Sequence, residues 1–291
     1  MRTQRVLMAL GVLAAGALAC TLNIPLPNVQ IGPAETGPTQ TETIKVPAQD
    51  ASPASLTIKF AAGELNIAPG AGADLVQGTA TYNVDKLKPA VTQTASGVTL
   101  SSPDISNDAV PLNLNTKVEN TWDLELGNQP MDLTISAGAY HAKMDLGGLS
   151  LTSLDVHDGA SYVEMDFSQP NLVSMNQFSY TTGASDVQLT GLANAHFSQL
   201  VFNGGAGSYT LDFTGNLNSD AEVTIKAGVC QVTLLIPDGI PVVFDISGGL
   251  ANVDMQGSFQ GGGSAFNQSG SGPSLTIHVD MGAGSLTLKN P

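Results

Sequence analysis

The residues that could do chemistry in this 291-residue chain are few and scattered. The four histidines, His141, His157, His196 and His278, show no H-x-x-x-H, H-E-x-x-H or Cys–His spacing, so their pattern predicts no zinc site. No G-x-S-x-G motif marks a serine nucleophile, and no G-K-[ST] motif marks a nucleotide-binding loop. The sequence therefore favours a protein that is not an enzyme and that needs no cofactor and no nucleotide.

One pattern of carboxylates is the exception. Asp145 and Asp166 each lie seven residues after a repeated glycine, which predicts that they stand on adjacent strands roughly 4.8 Å apart. Facing like charges destabilise a sheet, so a cation such as Ca²⁺ could bind between them. The alternative is a solvated acidic face that limits edge-to-edge association.

Three further features of the sequence bear on an enzyme activity. A carbohydrate-active β-helix enzyme, such as a pectate lyase, combines Ca²⁺-binding carboxylates with a basic residue, and here Lys143 and Lys226 are isolated. Paired carboxylates for glycoside hydrolysis stay open from sequence. Cys230 has no base or cation in its segment, AGVCQVTLL, and is interpreted as a small buried side chain on a strand.

The charge balance excludes some classes of partner. The formal net charge is −15, and the only arginines are Arg2 and Arg5. Beyond residue 19, eight lysines against 25 acidic residues give −17. Phosphate neutralisation supplies most of the affinity for DNA or RNA, so this chain is not expected to bind nucleic acid. A polybasic contact with an anionic bilayer is excluded for the same reason.

The first 20 residues, MRTQRVLMALGVLAAGALAC, resemble a bacterial lipoprotein signal. Residues 1–19 are interpreted as a signal peptide, because Val6–Ala19 is apolar but too short to span a bilayer. Cys20 would then be acylated and would hold the protein outside the cytoplasm, on the membrane. Ordinary cleavage of the same bond would instead leave a free Cys20. Residues 20–42, rich in Pro, Thr, Gly and Gln, are predicted to be a flexible tether.

A repeat organises the rest of the chain. Eight segments align on a glycine, and each has an apolar residue three before it and another four after it. At 42% hydrophobic composition, eight matches at one offset have a chance of about 0.001. These glycines are predicted to sit at a structural corner, through positive φ or close backbone approach. The aligned glycines are Gly63, Gly138, Gly159, Gly183, Gly205, Gly228, Gly249 and Gly282.

The spacing of the glycines, 21–24 residues from Gly138 to Gly249, predicts one coil of a parallel β-solenoid per repeat. We therefore expect an all-β fold with a regular solenoid over residues 131–291 and an irregular β capping region over 43–130. The Gly/Ser-rich segment 257–274 is either a flexible loop or a cover for the open end of the stack. A leucine-rich horseshoe is the structural alternative at this period.

Several segments resemble a known family. LTIKFAAGELNI, LVQGTATYN and KPAVTQTASGVTLSS are similar to the N-terminal part of toast-rack (DUF2154-like) bacterial envelope proteins. WDLELGNQPMDLTISAGAYHAKMDLGGLSLTSLDVHDGASYVEMDF resembles the repeat region shared by those proteins and LiaF-type envelope-stress regulators. The resemblance implies that the solenoid is right-handed, and it supplies no catalytic residues.

Taken together, these features predict a non-enzymatic, lipid-anchored scaffold or adhesin-like binding module of the cell envelope. Its partner would be an envelope protein or a glycan. A component of an envelope-stress or antimicrobial-response system is the second interpretation, and a carbohydrate-active β-helix enzyme is the third.

Overall fold

The computed structural model describes residues 36–102, 118–249 and 252–291. The predicted signal peptide, Cys20 and residues 20–35 of the tether lie outside the described residues. Within the described ranges, the regular structure is β except for two 3-10 turns, Asp85–Leu87 and Leu192–Ala195. The all-β prediction is confirmed. In the same ranges, no helix has the length and apolar character needed to cross a membrane.

The strands fall into two groups by length. The long strands have 15 or 16 residues: β2 (Ala54–Pro69), β7 (Met131–Asp145), β8 (Leu151–Asp166), β9 (Met175–Thr190), β10 (Phe197–Asp212), β11 (Ala221–Leu235) and β16 (Leu275–Lys289). The shorter strands are β1 (Gln40–Pro47), β3 (Asp74–Tyr82), β4 (Ala90–Thr94), β5 (Gly97–Ser101), β6 (Asn120–Leu126), β12 (Val242–Gly248), β13 (Asn252–Gln256), β14 (Gln260–Gly262) and β15 (Ala265–Gln268).

Each long strand turns a corner near its middle. In β7, Leu133 and Ile135 are buried before Gly138, and Ala142 and Met144 are buried after it. On each side of the corner, every second residue is buried. This alternation shifts by one residue at the corner, so two consecutive residues point outward there. The apolar positions that define the repeat therefore line one continuous core, as their period predicts.

The long strands pair in parallel in the order β2-β7-β8-β9-β10-β11-β16. The sheet is nevertheless mixed. At one end, β3 pairs antiparallel with both β6 and β1, and β4 pairs antiparallel with β5. At the other end, β15 pairs antiparallel with β12 and β14. The parallel solenoid predicted over residues 131–291 is therefore wrong at its C-terminal end, where short antiparallel strands complete the sheet edge. The antiparallel strands at the other end belong to the region predicted as an irregular cap.

The last coils also depart from chain order. The repeat predicts that the coil of Gly249 precedes the coil of Gly282 in the stack, but β16 lies between β11 and β12. β12 and β13 together form the terminal coil. A terminal coil buries one side only, and Met255 of β13 is accordingly 39% exposed although its repeat position is buried elsewhere. β16 is one uninterrupted strand and lies inside the stack, where it pairs with a neighbouring strand on each side.

The two predicted end regions are continuous with the same sheet. In the 43–130 region, β2 already pairs in parallel with β7, while β5 and β6 pair with the first and second halves of β2. In the 257–274 segment, β15 runs along the edge of β12. Phe266 is buried there, and the ring of Phe259 lies 5.9 Å from that of Phe244.

Candidate functional site

The predicted corner glycines stack with close backbone contact. A Cβ atom added to Gly183 would lie 2.4 Å from the carbonyl oxygen of Gly159, and one added to Gly205 would lie 2.3 Å from that of Gly183. The same arrangement joins Gly249 to Gly282 at 2.4 Å. These glycines do not have positive φ. Close approach of neighbouring coils is thus the feature that a side chain would disturb.

Gly63 does not belong to this row, which corrects the alignment. β2 pairs with β7 so that Gly63 lies opposite Tyr140, two residues beyond Gly138. Its counterparts in other coils are Gly207 and Gly284, and all three have positive φ, at 126°, 147° and 131°. Aligning on glycine identity matched two different levels of the corner, because both levels favour glycine.

The structure places Asp145 and Asp166 opposite each other on β7 and β8. The Asp145 carboxylate accepts hydrogen bonds from the Ser168 hydroxyl at 2.7 Å and from the Gly147 amide at 2.9 Å. Asp166 accepts one from Thr190 Oγ1 at 2.8 Å. Among the described residues, no group of three or more His, Cys, Asp or Glu side chains could hold a metal ion. Protein donors thus already stabilise these two charges.

A groove of about 1070 Å³ opens beside this pair. Seven strands line it, from β1, β3 and β6 across β2 to β7, β8 and β9. Its central polar row runs from Asp123 through Asn66 and Lys143 to Glu164 and Gln188, each facing the next across a strand boundary. The groove lies on the strand halves that follow the corner, and we call their outer surface the groove face.

The groove face has a regular grid on its three central strands. Each of β7, β8 and β9 presents three outward side chains after the corner, aligned in three rows by the strand register. The grid residues are His141, Lys143, Asp145, Tyr162, Glu164, Asp166, Asp186, Gln188 and Thr190. Neighbouring side chains stand roughly 4.8 Å apart across strands and about 6.8 Å apart along one strand.

Tyr162 is the exposed aromatic residue of this grid. It is 37% exposed, and its ring lies 4.8 Å from that of His141 at a tilt of 56°. Its hydroxyl donates a hydrogen bond to Glu164 Oε1 at 3.0 Å. That hydrogen bond, together with the negative charge of Glu164, raises the pKa of Tyr162. Sequence reasoning missed this residue, although an aromatic side chain at an outward position of the repeat was the available signal.

Sequence reasoning also missed a buried polar cluster inside the corner. The Asp158 carboxylate is 4% exposed and accepts hydrogen bonds from the hydroxyls of Tyr180 at 2.7 Å and Tyr140 at 3.3 Å. The Thr182 hydroxyl donates to its other oxygen, and Ser185 lies next to Thr182 at 2.6 Å. Desolvation raises the pKa of both tyrosines well above the usual value. The cluster is closed to solvent, so it stabilises three adjoining coils and offers no access to a ligand.

The remaining sequence-selected side chains do not converge. Cys230 is buried on β11, and burial raises the pKa of its thiol to about 11, which makes it unreactive. His157 and His278 lie beside Asp155 and Asp245 at 2.9 Å and 3.6 Å. These pairs are on the strand halves that precede the corner, away from the groove face.

Three solved structures resemble this chain at 10–20% sequence identity. Among solved structures, a candidate cell adhesion protein from Clostridium sporogenes is 20% identical, with 87% of this chain and 100% of that chain covered at a TM-score of 0.49. A candidate adhesin from Bacteroides fragilis is 14% identical, with 88% and 100% covered at 0.45. A candidate lipid binding protein from Parabacteroides distasonis is 10% identical, with 86% and 97% covered at 0.33. No curated protein matches significantly.

A family model described as the N-terminal domain of toast_rack, DUF2154, matches residues 35–177 and 171–235. The two matches together cover more than half of the sequence, from the first described strand to the end of β11. This chain therefore belongs to the toast_rack family.

Proposed function

We propose that this chain is a non-enzymatic binding module of the bacterial cell envelope, a scaffold or adhesin-like protein that contacts its partner through the groove face. In this proposal, acylated Cys20 anchors the protein outside the cytoplasm. The predicted tether ends where β1 begins at Gln40, so residues 20–39 hold the domain away from the membrane. The parallel block of long strands is a right-handed solenoid. The leader sequence and the family resemblance support the anchor and the handedness respectively.

The observation that carries the proposal is the groove on a regular outer face. Inward positions of the long strands are occupied by core residues, so the fold depends little on what the outward positions carry. Outward side chains of seven strands bound one groove of about 1070 Å³. A stack of coils therefore presents an extended surface whose chemistry can vary while the core stays constant.

The charges of the groove face indicate the kind of partner. Five carboxylates and two lysines line the groove: Asp123, Glu125, Asp145, Glu164, Asp166, Lys45 and Lys143. The chain beyond the leader carries −17 overall. A neutral or cationic partner therefore suits this surface, and its association should weaken as salt screens the charges.

The test uses two substitutions on one strand. Gln188 of β9 lies in the groove, and Gln177 of β9 lies on the strand half before the corner; both are exposed. Full-length protein in detergent micelles is bound to envelope fragments from the native cell, as wild type, Gln188→Arg and Gln177→Arg. We expect Gln188→Arg to weaken binding about tenfold and Gln177→Arg to leave it within twofold. Equal effects would place the binding surface elsewhere. Saturable turnover of a glycan or peptide that a single Asp, Glu or His substitution abolishes would contradict the non-enzymatic proposal.

A further inference from the structure

We infer that the groove face binds a neutral or amino-bearing glycan, with one sugar ring stacked on Tyr162 and its hydroxyls bonded to the polar row. This inference rests on the proposed function, because it names the ligand class of the same face.

The first argument is the position of Tyr162. Core positions of β8 are filled by Val163 and Met165, both buried, so the Tyr162 ring is not needed for packing. Two contacts nevertheless fix it: the His141 ring at 4.8 Å and the hydrogen bond to Glu164 at 3.0 Å. An exposed aromatic ring held in one orientation is a preorganised apolar platform. The C–H face of a pyranose ring matches such a platform.

The second argument is the set of polar groups around this ring. Asp186 faces Tyr162 on the next strand, and Gln188 faces Glu164. Lys143 faces Glu164 from the other side. Carboxylates accept, ammonium groups donate and amides do both, which is the mixture that vicinal sugar hydroxyls require. Within the described part of the chain, neither Glu164 nor Asp186 forms a salt bridge, so their oxygens can accept strong hydrogen bonds from hydroxyls.

The composition of the grid favours a sugar over a protein partner. Apart from Tyr162, its side chains are His, Lys, Asp, Glu, Gln and Thr. The central part of a stable protein–protein interface is depleted of charge and enriched in apolar groups, which this grid is not. Lys143, Glu164 and Gln188 line the groove, whereas Tyr162 and Asp186 lie in the adjacent row, one step closer to the corner. The groove volume, about 1070 Å³, is slightly above that of ordinary ligand sites and suits several linked sugar rings.

The same charges select among glycans. Four grid carboxylates, Asp145, Glu164, Asp166 and Asp186, face one lysine. Uronate-bearing glycans would place carboxylates against carboxylates and are disfavoured. Neutral sugars avoid this repulsion, and protonated amino sugars gain from it.

The inference is tested by calorimetry on full-length protein in detergent micelles. The probes are the tetramer of N-acetylglucosamine, its deacetylated form, mannotetraose and tetragalacturonate. We expect at least one of the first three to bind, and tetragalacturonate to bind at least tenfold more weakly. Tyr162→Ala should weaken binding at least tenfold, whereas Tyr162→Phe, which keeps the ring, should stay within threefold. Gln177→Ala is the matched control and should have no effect.

Two results would overturn the inference: no heat from any neutral or amino-sugar probe at millimolar concentration, or binding that Tyr162→Ala leaves unchanged. A second test uses the wild-type protein, so it does not depend on whether the variants fold. The imidazole NMR signals of His141 should shift when the bound probe is added, and those of His278 should not; the opposite pattern contradicts the site. If no sugar binds while Gln188→Arg still weakens binding to envelope fragments about tenfold, the groove face binds a protein and only this inference is wrong. If Tyr162→Ala does not weaken glycan binding and Gln188→Arg does not weaken binding to envelope fragments, the proposed function is wrong as well.

Discussion

Replacing Gly183 by alanine tests how closely the coils approach at the corner. The new Cβ atom would lie 2.4 Å from the carbonyl oxygen of Gly159, whereas Cβ atoms essentially never come within 3.0 Å of an atom outside their own residue and its chain neighbours. The obstacle is backbone, which cannot rotate away as a flexible side chain can. On the other side, Gly205 packs equally closely on the Gly183 carbonyl, so movement of β9 is opposed from both neighbours.

The expected cost of Gly183→Ala is that of overpacking, about 1–3 kcal/mol. In a domain of this size each kcal/mol lowers Tm by about 2–4 °C, so the melting temperature should fall by at least about 2 °C. Gly262→Ala is the matched control, because nothing lies within 4 Å of its Cβ position and its φ is not positive. There the loss of unfolded-state entropy predicts no destabilisation. Urea unfolding, followed by circular dichroism, measures the free energy of unfolding of both variants. Equal stability of Gly183→Ala and wild type would refute the close-contact reasoning.

Three further predictions concern individual side chains. Cys20→Ser should move the protein from the membrane fraction to the soluble fraction, and mass spectrometry showing an unmodified Cys20 in the wild type would contradict acylation. The Cys230 thiol, with its pKa raised to about 11 from 9.0, should react with a disulfide reagent on the order of 100-fold more slowly than in the unfolded chain. Burial raises the pKa of Tyr140 and Tyr180, so the folded state holds these protons more tightly than the unfolded state. Stability should therefore be complete below the usual pKa of 10.0 and should decline as pH rises above it, and Tyr180→Phe should make that decline shallower in urea titrations.

The repeat in the sequence predicts the core well, because burial has a period that composition alone would not produce. Ile135, Val156 and Val279 stand three residues before a corner glycine, and all are buried. The parallel pairing of β7 to β11 follows from the same period, since equal coils can stack only in register.

The period of the repeat did not predict the strand register at Gly63 or the order of the strands at the C-terminal end of the stack. Gly63 matches the corner glycines in type but lies two residues further along, and only its pairing with Tyr140 reveals this. The insertion of β16 between β11 and β12 depends on which coil tolerates an exposed edge, a property of the assembled stack. The repeat does not predict the roles of Tyr162 and Asp158, because each of these residue types occurs at its position in one coil only. The repeat identifies positions whose residue type is shared between coils.

The central claim, that the partner binds the groove face, is tested most directly by carboxylate footprinting of the full-length protein with and without envelope fragments. Modification of each Asp and Glu is followed by mass spectrometry. Asp186 and Glu164 report on the groove face, while Asp155 and Asp245, with side chains 42% and 69% exposed, report on the strand halves before the corner. We predict protection of Asp186 and Glu164 and no protection of Asp155 and Asp245. Protection of Asp155 and Asp245 instead, or of Glu35 in the predicted tether only, would contradict the account.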